Sequence, residues 1–333
     1  MEDFTKIRST LLEFCKNADT IAITTHQNPD GDGYIAAVGL QHMLQLQGIQ
    51  STILTDNDDL SRFAFVDSNA SVEIWREEQH FELVIVLDCN SYDRVADRAS
   101  LVKQAKDIVV IDHHVIENNK IRADLELIDS SFVSVGAIIY ELFRGDLSQI
   151  SVGDALHFAN CIWTTILNDT NNFTNANSDS RVFQLASELV SLGVQPHILY
   201  KEFFMNHSAN EMLYIGKTLS TIKLHCNERV LVMHSGIDMK EQCGVDADII
   251  MNITRWVQGV ADIDAIVYLR EDLAGIWKVS LRSLKLDVQK IAAKFGGGGH
   301  KKAAGCTVCG SLEDVKRLIL TEFDIQLTNP NHG

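Results

Sequence analysis

The sequence predicts an α/β protein with a doubly wound, mainly parallel sheet in its first half and a smaller α/β domain in its second half. Apolar runs of strand length are separated by stretches of helical length, of which residues 34–47 carry Ala, Val and Leu at helical spacing. The runs are residues 21–25, 51–55, 83–88 and 108–112. Such alternation is typical of a parallel sheet covered by helices. Polar residues suited to metal binding follow three of the runs, at the sheet edge where these folds bind ligands.

The second half of the chain predicts a separate domain. A helix is expected from Ser178 to Gly193, where the glycine is typical of a helix end, and Pro196 follows it. Later elements are strands near residues 229–233, 263–269 and 276–281, then a helix over residues 287–295. We therefore predict a first domain at residues 1–189, a linker at residues 190–212 and a second domain at residues 213–328.

Composition narrows the class of protein. The chain has 333 residues, 46% of them hydrophobic, which suffices for roughly two domains of ~100–200 residues. No apolar run reaches the ~18–20 residues of a membrane span, so we expect a soluble, cytoplasmic protein with no membrane partner. The net charge of −16 argues against long duplex nucleic acid as a partner. Seven cysteines without a paired framework predict reduced thiols, and the lone pair Cys306 and Cys309 is expected to lie in a late strand.

Acidic and imidazole side chains follow the apolar segments at four places. Three of these segments are predicted strands, and we interpret the apolar stretch around residues 161–163 as a fourth segment of the same kind. Gly31 and Gly33 allow a sharp turn after the first strand. The side chains are His26, Asp30 and Asp32, then Asp88, then Asp112, His113 and His114, and finally Asp169.

Each of these motifs alone has an ordinary explanation, such as a polar turn, a strand-end cap or a helix cap. Four of them in this order favour a metal site, because imidazole and carboxylate groups together suit Mn²⁺, Mg²⁺, Zn²⁺ or Fe²⁺. The set holds more ligands than one ion needs. We therefore expect two ions, which in such sites lie ~3.5–4 Å apart and clamp a phosphoryl group.

These motifs resemble the DHH phosphoesterase family. The matching segments are His26-Gln-Asn-Pro-Asp30-Gly-Asp32, Leu87-Asp88, Ile111-Asp112-His113-His114 and Asn168-Asp169-Thr170. Residues 279–305, with Arg282 and the run Phe295-Gly-Gly-Gly-Gly299-His300, resemble the DHH-associated domain of the same family. The resemblance spans nearly the whole chain and is greatest for the short, two-domain oligoribonuclease type (nanoRNase). That type also dephosphorylates 3′-phosphoadenosine 5′-phosphate.

The resemblance implies a role for each matched residue. One ion would be bound by His26, Asp30 and Asp88, and the other by Asp32, Asp88, His113 and Asp169, with Mn²⁺ as the expected metal and Mg²⁺ as an alternative. His114 would face the substrate phosphate or leaving group, and Asp112 would orient a histidine ring. The substrate-binding residues would be Arg282, Gly297, Gly298, Gly299 and His300. The active site would lie in the cleft between the two domains.

The implied activity is hydrolysis of short oligoribonucleotides, of 3′-phosphoadenosine 5′-phosphate, or of both. A cyclic or linear dinucleotide phosphodiesterase is the first alternative. A RecJ-type exonuclease, an inorganic pyrophosphatase and a non-catalytic nucleotide-binding module are less favoured, and a homodimer is left open. The chain departs from the family pattern at Ile35-Ala36, where Gly-Ser is frequent, and at Asn171, where a glycine is common.

Overall fold

A computed structural model describes residues 4–56, 60–66, 69–116, 118–245, 253–283 and 285–328, without the side chains of Ser61 and His300. The chain divides into two compact units, of which the first ends at Asn206 and the second begins at His207. The division falls inside the predicted linker of residues 190–212. This segment also contains a helix that belongs to the first unit, Pro196–Phe204.

The first unit is built around a six-stranded sheet in which every pair of neighbouring strands is parallel, in the order β3-β2-β1-β4-β5-β6. Its strands are β1 (Ile21–Thr24), β2 (Thr52–Thr55), β3 (Val72–Ile74), β4 (Leu83–Leu87), β5 (Asp107–Asp112) and β6 (Leu125–Ile128). Its helices are α1 (Phe4–Asn17), α2 (Gly31–Leu46), α3 (Tyr92–Val95), α4 (Ala99–Gln104), α5 (Val135–Phe143), α6 (Val152–Thr170), α7 (Ser180–Ser191) and α8 (Pro196–Phe204). The parallel sheet confirms the predicted fold class.

Strand order fixes where a ligand can bind. From β1 the chain moves outward to β2 and β3, then returns to place β4 on the other side of β1. Open parallel sheets bind ligands outside the carboxyl ends of the strands at such a reversal. Both faces of β4 are covered, since Ile85 and Leu87 belong to one core and Val84 and Val86 to another. Polar side chains at this point therefore lie beyond the carboxyl end of the strand rather than on its faces.

The segment before Asp169 is a helix, and the expectation of a further strand-like segment there is wrong. Asp169 lies in the last turn of α6, which packs against α2 and α5. Cys161, Ile162 and Trp163 are at most 5% exposed because α6 is covered on several sides. A helix buried in this way loses its polar face, and a short window of its sequence cannot be distinguished from a buried strand.

The second unit contains a mixed six-stranded sheet in the order β11-β12-β10-β9-β8-β7, with β8 and β9 parallel and the other neighbours antiparallel. Its strands are β7 (Lys223–His225), β8 (Val230–Ser235), β9 (Ala265–Leu273), β10 (Ile276–Ser283), β11 (Gly298–His300) and β12 (Ala303–Cys309). Its helices are α9 (Ala209–Leu219), α10 (Ile237–Cys243), α11 (Val288–Lys294) and α12 (Leu312–Thr328). The expected strands and the helix after residue 287 are all present.

All seven cysteines are free, and Cys306 and Cys309 both lie in β12, as predicted. Within the described residues, no helix combines the length and the apolarity that a membrane crossing requires.

The contact between α5 and α6 leaves no room for a side chain at Gly136, where an added Cβ would lie 2.1 Å from Thr165 Oγ1. Gly136→Ala should destabilise the protein by about 1–3 kcal/mol through overpacking. Gly153, in the first turn of α6, is a matched control, because its Cβ would lie 3.7 Å from the nearest atom, Ser151 Oγ. Gly153→Ala should be neutral or stabilise by up to ~1 kcal/mol. Urea unfolding midpoints measure both effects, and equal midpoints for the two variants would contradict the packing described.

Candidate metal centre

The first group of metal-ligating atoms comes from the segment after β1 and from the end of β4. His26 Nε2 lies 3.4 Å from Asp88 Oδ2 and 3.9 Å from Asp30 Oδ1. The other ring nitrogen of His26, Nδ1, is 2.8 Å from the carbonyl oxygen of Gln27. A carbonyl only accepts hydrogen bonds, so Nδ1 carries the proton and Nε2 is free to bind a metal.

The second group comes from α2, from the segment after β5 and from α6. His113 Nε2 lies 3.1 Å from Asp169 Oδ2 and 3.4 Å from Asp32 Oδ2. It also lies 3.4 Å from Asp88 Oδ1. The two carboxylate oxygens of Asp88 thus face different groups, with Oδ2 towards His26 and Oδ1 towards His113. The structure therefore brings together all six metal ligands predicted from the sequence.

Two atoms of the centre test whether divalent cations fit. His113 Nε2 and Asp88 Oδ1 are buried, and neither has a hydrogen-bond partner among the described residues. Buried polar atoms normally have a partner, and one without it calls for an explanation such as a missing ion. An imidazole nitrogen and a carboxylate oxygen are both good ligands for divalent ions. The donor set therefore fits divalent cations.

The backbone at Asp88 has an unusual conformation. Its φ angle is +60°, in the left-handed region that few residues other than glycine adopt. Such conformations cluster at functional sites, where the surrounding structure enforces them. Here Gly33 packs closely against Asp88 and Thr25. A Cβ added at Gly33 would lie 3.2 Å from Asp88 Oδ2 and 3.3 Å from Thr25 Cβ.

Asp32 is held by a helix that the sequence analysis missed. Its carboxylate accepts hydrogen bonds from the backbone N–H groups of Val135 (2.8 Å) and Gly136 (3.2 Å), at the N-terminus of α5. A helix N-terminus favours negative charge because its first N–H groups lack partners within the helix. The signal in the sequence was Ser134, which caps α5 and precedes an apolar helical segment.

Asn168 links the two groups of ligands, and the sequence analysis assigned it no role. Its side-chain Nδ2 donates to Asp30 Oδ2 (3.0 Å) and to Asp169 Oδ1 (2.9 Å). Its Oδ1 accepts from the N–H of Gly31 at 3.3 Å. Asp30 also caps α2, where it accepts from the N–H groups of Asp32 and Gly33. The protein therefore holds both carboxylate oxygens of Asp30 and one carboxylate oxygen of Asp169.

His114 is oriented by a buried carboxylate. Asp112 is fully buried, and its Oδ1 accepts a 2.8 Å hydrogen bond from His114 Nδ1. Its Oδ2 accepts from Asn90 Nδ2 at 2.7 Å. The side chain of His114 is 29% exposed and its Nδ1 lies 3.4 Å from Asp88 Oδ1. This contact fits the orienting role predicted for Asp112.

In the second unit, Arg282 is largely buried and donates to the carbonyl of Leu281 at 3.0 Å. Burial lowers the pKa of its guanidinium, and no acidic residue in the described part of the chain forms an ion pair with it. Its strand partner in β12 is Ala303, which pairs on its other side with His300 of β11. The side chain of His300 lies outside what the structure describes.

The glycine run is only partly available for ligand binding through its backbone. The N–H of Gly296 donates to the carbonyl of Ala293 (3.2 Å), and that of Gly297 donates to the carbonyl of Ala292 (2.9 Å). Both N–H groups thus close the end of α11, and the role of Gly297 in substrate binding stays a prediction. Gly298 and Gly299 belong to β11, and Gly299 has a φ of +130° that a side chain would strain.

The two departures from the family pattern have local explanations. Asn171 caps α6 in the left-handed conformation, with a φ of +47°, and asparagine tolerates this conformation better than other residues with a side chain. Ile35 and Ala36 are fully buried in the core of the first unit.

Crowding of the carboxylates changes the protonation of the centre. Burial, together with the negative charge of Asp30, raises the pKa of Asp169 to about 7. Burial also raises the pKa of Asp32 well above its usual value, helped by Asp169 and Asp88. For His26, burial lowers the pKa, but the nearby carboxylates of Asp30 and Asp88 outweigh this effect and bring the pKa to about 10. Without cations the centre therefore retains protons at neutral pH.

This retention predicts how Mn²⁺ affects stability. In the metal-free protein the pKa values of His26 (about 10) and Asp169 (about 7) are raised above their unfolded values. Protonation of these two groups therefore stabilises the folded state fully below the unfolded pKa values, and this stabilisation is lost as the pH rises through the folded pKa values. Mn²⁺ must displace these protons, so its binding strengthens with pH. The rise in Tm caused by Mn²⁺ should be larger at pH 8 than at pH 6, measured against samples with a chelator. An increase that is equal at both pH values would contradict this account.

Comparison with known proteins identifies the family. The model of the DHH family N-terminal domain matches residues 20–166, and that of the DHHA1 domain matches residues 228–327. The bifunctional oligoribonuclease and PAP phosphatase NrnA of Thermus thermophilus is 29% identical over 316 residues, which cover 94% of this chain and 91% of that protein. The Bacillus subtilis protein of the same name is 26% identical over 303 residues, covering 90% and 93%.

A solved structure supports the fold. An exopolyphosphatase-related protein from Bacteroides fragilis superposes with a TM-score of 0.85 at 22% identity, covering 97% of this chain and 98% of that one. The first match includes every candidate metal ligand except Asp169, which follows the end of this match by three residues. The chain therefore belongs to the DHH family of metal-dependent phosphoesterases, hydrolases that act on phosphoester bonds, and it carries a DHHA1 domain.

Proposed function

We propose that this chain hydrolyses short oligoribonucleotides and 3′-phosphoadenosine 5′-phosphate at a dinuclear centre, with Mn²⁺ as its metal. The observation that carries the proposal is the position of Asp88, whose two carboxylate oxygens each lie 3.4 Å from a different ligating histidine nitrogen. One carboxylate between two ligand groups is the arrangement that two neighbouring cations require. A mixture of imidazole and carboxylate ligands suits Mn²⁺.

The choice of substrates rests on the relatives. Several are named bifunctional oligoribonuclease and PAP phosphatase, and they align with this chain over about nine tenths of its length. Both substrates carry phosphate groups at more than one position. The guanidinium of Arg282 is partly buried and forms no ion pair with the acidic residues that the structure describes. This supports a second phosphate contact, because such a cation is stabilised by a bidentate anion. We assign that contact to Arg282, with Gly298, Gly299 and His300 as its neighbours.

The ligands of the first unit have separate tasks in this proposal. Bound divalent ions would lower the pKa of water towards ~7 and offset charge on the phosphoryl oxygens. Asp112 holds the ring of His114 through Nδ1, so that the imidazolium form of His114 would donate its Nε2 proton to the leaving oxygen and become neutral imidazole. The helix dipole of α5 and the amide of Asn168 keep Asp32, Asp30 and Asp169 in place.

Asp88→Asn tests the dinuclear proposal. The amide is nearly isosteric but uncharged and offers only one oxygen, so activity towards every substrate should fall by a factor of at least ~100. The assay is a panel with Mn²⁺: a dinucleotide, a pentanucleotide, 3′-phosphoadenosine 5′-phosphate, cyclic di-AMP and pyrophosphate. A wild-type protein that cleaves only cyclic di-AMP or only pyrophosphate would overturn the substrate assignment. Absence of any hydrolysis would favour a binding module instead.

Arg282 should act on substrate binding more than on the chemical step. Arg282→Ala is expected to raise KM for 3′-phosphoadenosine 5′-phosphate at least 10-fold with a smaller change in kcat. Arg317→Ala is the matched control, because Arg317 is exposed and already paired with Asp314. A large fall in kcat at unchanged KM would instead assign Arg282 to stabilisation of the transition state.

The length of the RNA is the third test. The net charge of −16 should repel phosphates that lie outside the site. The value of kcat/KM should therefore fall once the RNA is longer than about 4 nucleotides or a few more. RNA of two to about twenty-four nucleotides is compared at one salt concentration, because phosphate contacts depend on salt. Equal rates for the longest RNA and the dinucleotide would favour a processive exonuclease.

A further inference from the structure

A buried arginine supports the segment that carries His26. Arg98 is 1% exposed, and its Nη2 donates to the backbone carbonyls of Thr25 and His26, each at 3.0 Å. Its Nη1 forms a 2.9 Å ion pair with Asp56 Oδ1. A buried guanidinium is costly unless its charge and its donors are matched. The carbonyls of Thr25 and His26 and the carboxylate of Asp56 offset part of this cost, whereas Arg98 Nε has no hydrogen-bond partner within the described residues.

Asp56 extends the support further along the same segment. Its carboxylate accepts from the N–H of Asn28 at 3.3 Å and 3.4 Å. Asn28 has a left-handed φ of +52°, a conformation that needs support from its surroundings. Between these contacts, the N–H of Gln27 donates to the carbonyl of Arg94 at 2.7 Å. The backbone from Thr25 to Asn28 is therefore fixed at each peptide.

The fixed backbone sets the orientation of the His26 ring. The ring donates from Nδ1 to the carbonyl of Gln27, so its direction follows the backbone at that peptide. Within the described residues, Arg98 forms no hydrogen bond or ion pair with Asp32, His113 or Asp169. Asp32 is held instead by the N-terminus of α5, and Asp169 by Asn168. Arg98 thus acts on one ligand group and not on the other.

We infer that Arg98, together with Asp56, is a positioning residue for the ion bound by His26, Asp30 and Asp88, and that it leaves the other ion position unaffected. The inference rests on the proposed dinuclear centre. It predicts two ion positions whose affinities can be changed separately.

The direction in which Arg98→Met changes Mn²⁺ affinity separates a positioning role from a simple electrostatic one. Arg98→Met removes a positive charge near the centre, which by Coulomb's law would strengthen cation binding. Loss of positioning should instead weaken it. Residues that orient metal ligands typically contribute 10–100-fold to metal affinity. We therefore expect Mn²⁺ affinity to fall by about 10–100-fold at one position only.

The experiment is a Mn²⁺ titration by calorimetry, with Tm recorded in the presence of a chelator. Wild type should bind two ions, and Arg98→Met should keep one with unchanged affinity. Asp169→Asn provides the complementary case, in which the other position weakens. Lys103→Met controls for charge, because Lys103 is exposed on α4 and contacts the ring of Tyr92 rather than this segment. It should leave both affinities within about twofold of wild type.

Two further variants keep the inference testable if Arg98→Met does not fold. Arg98→Lys keeps the charge but cannot reproduce the planar fork, and Asp56→Asn keeps an acceptor for Asn28 while removing the ion pair. Both should weaken the same position. The inference is overturned if these variants bind two ions as wild type does, or if both positions weaken equally. Wild-type protein that binds fewer than two ions would contradict the dinuclear proposal itself.

Discussion

Repulsion among four carboxylates is the constraint on which the first unit depends. Asp30, Asp32, Asp88 and Asp169 converge on two histidines, and burial makes their charges costly. The protein offsets part of this cost with the N-terminus of α5 at Asp32 and with the amide of Asn168 between Asp30 and Asp169. Asp88 receives no such help at Oδ1, which has no partner within the described residues. The remaining charge is left for cations to neutralise, and this need ties the fold to metal-dependent chemistry.

Strand order explains why these groups meet. β1 and β4 are neighbours although 58 residues lie between the end of β1 at Thr24 and the start of β4 at Leu83, so the segments after the two strands share one edge of the sheet. That arrangement could be predicted from the sequence, because buried strands show as apolar runs and parallel strands bring their carboxyl ends together. His26, Asp30, Asp32, Asp88 and His113 could therefore be predicted as candidate metal ligands without any knowledge of side-chain contacts.

The supporting residues could not be predicted in the same way. Asp32 receives its hydrogen bonds from residues more than 100 positions away, at a helix whose start was marked only by Ser134. Arg98 reaches the carbonyl of Thr25 across 73 positions, and nothing in its local sequence distinguishes it from a surface arginine. The helical nature of the segment before Asp169 was hidden because α6 is buried on several sides. Long-range contacts of this kind depend on tertiary packing rather than on local pattern.

The central claim is that Asp88 is shared by two cations. Anomalous scattering from crystals of the Mn²⁺-loaded protein tests it most directly. The account predicts two peaks per chain, roughly 3.5–4 Å apart, with one oxygen of Asp88 directed to each. A single peak coordinated by His26 and Asp30 alone, with Asp88 bound to no ion, would contradict it.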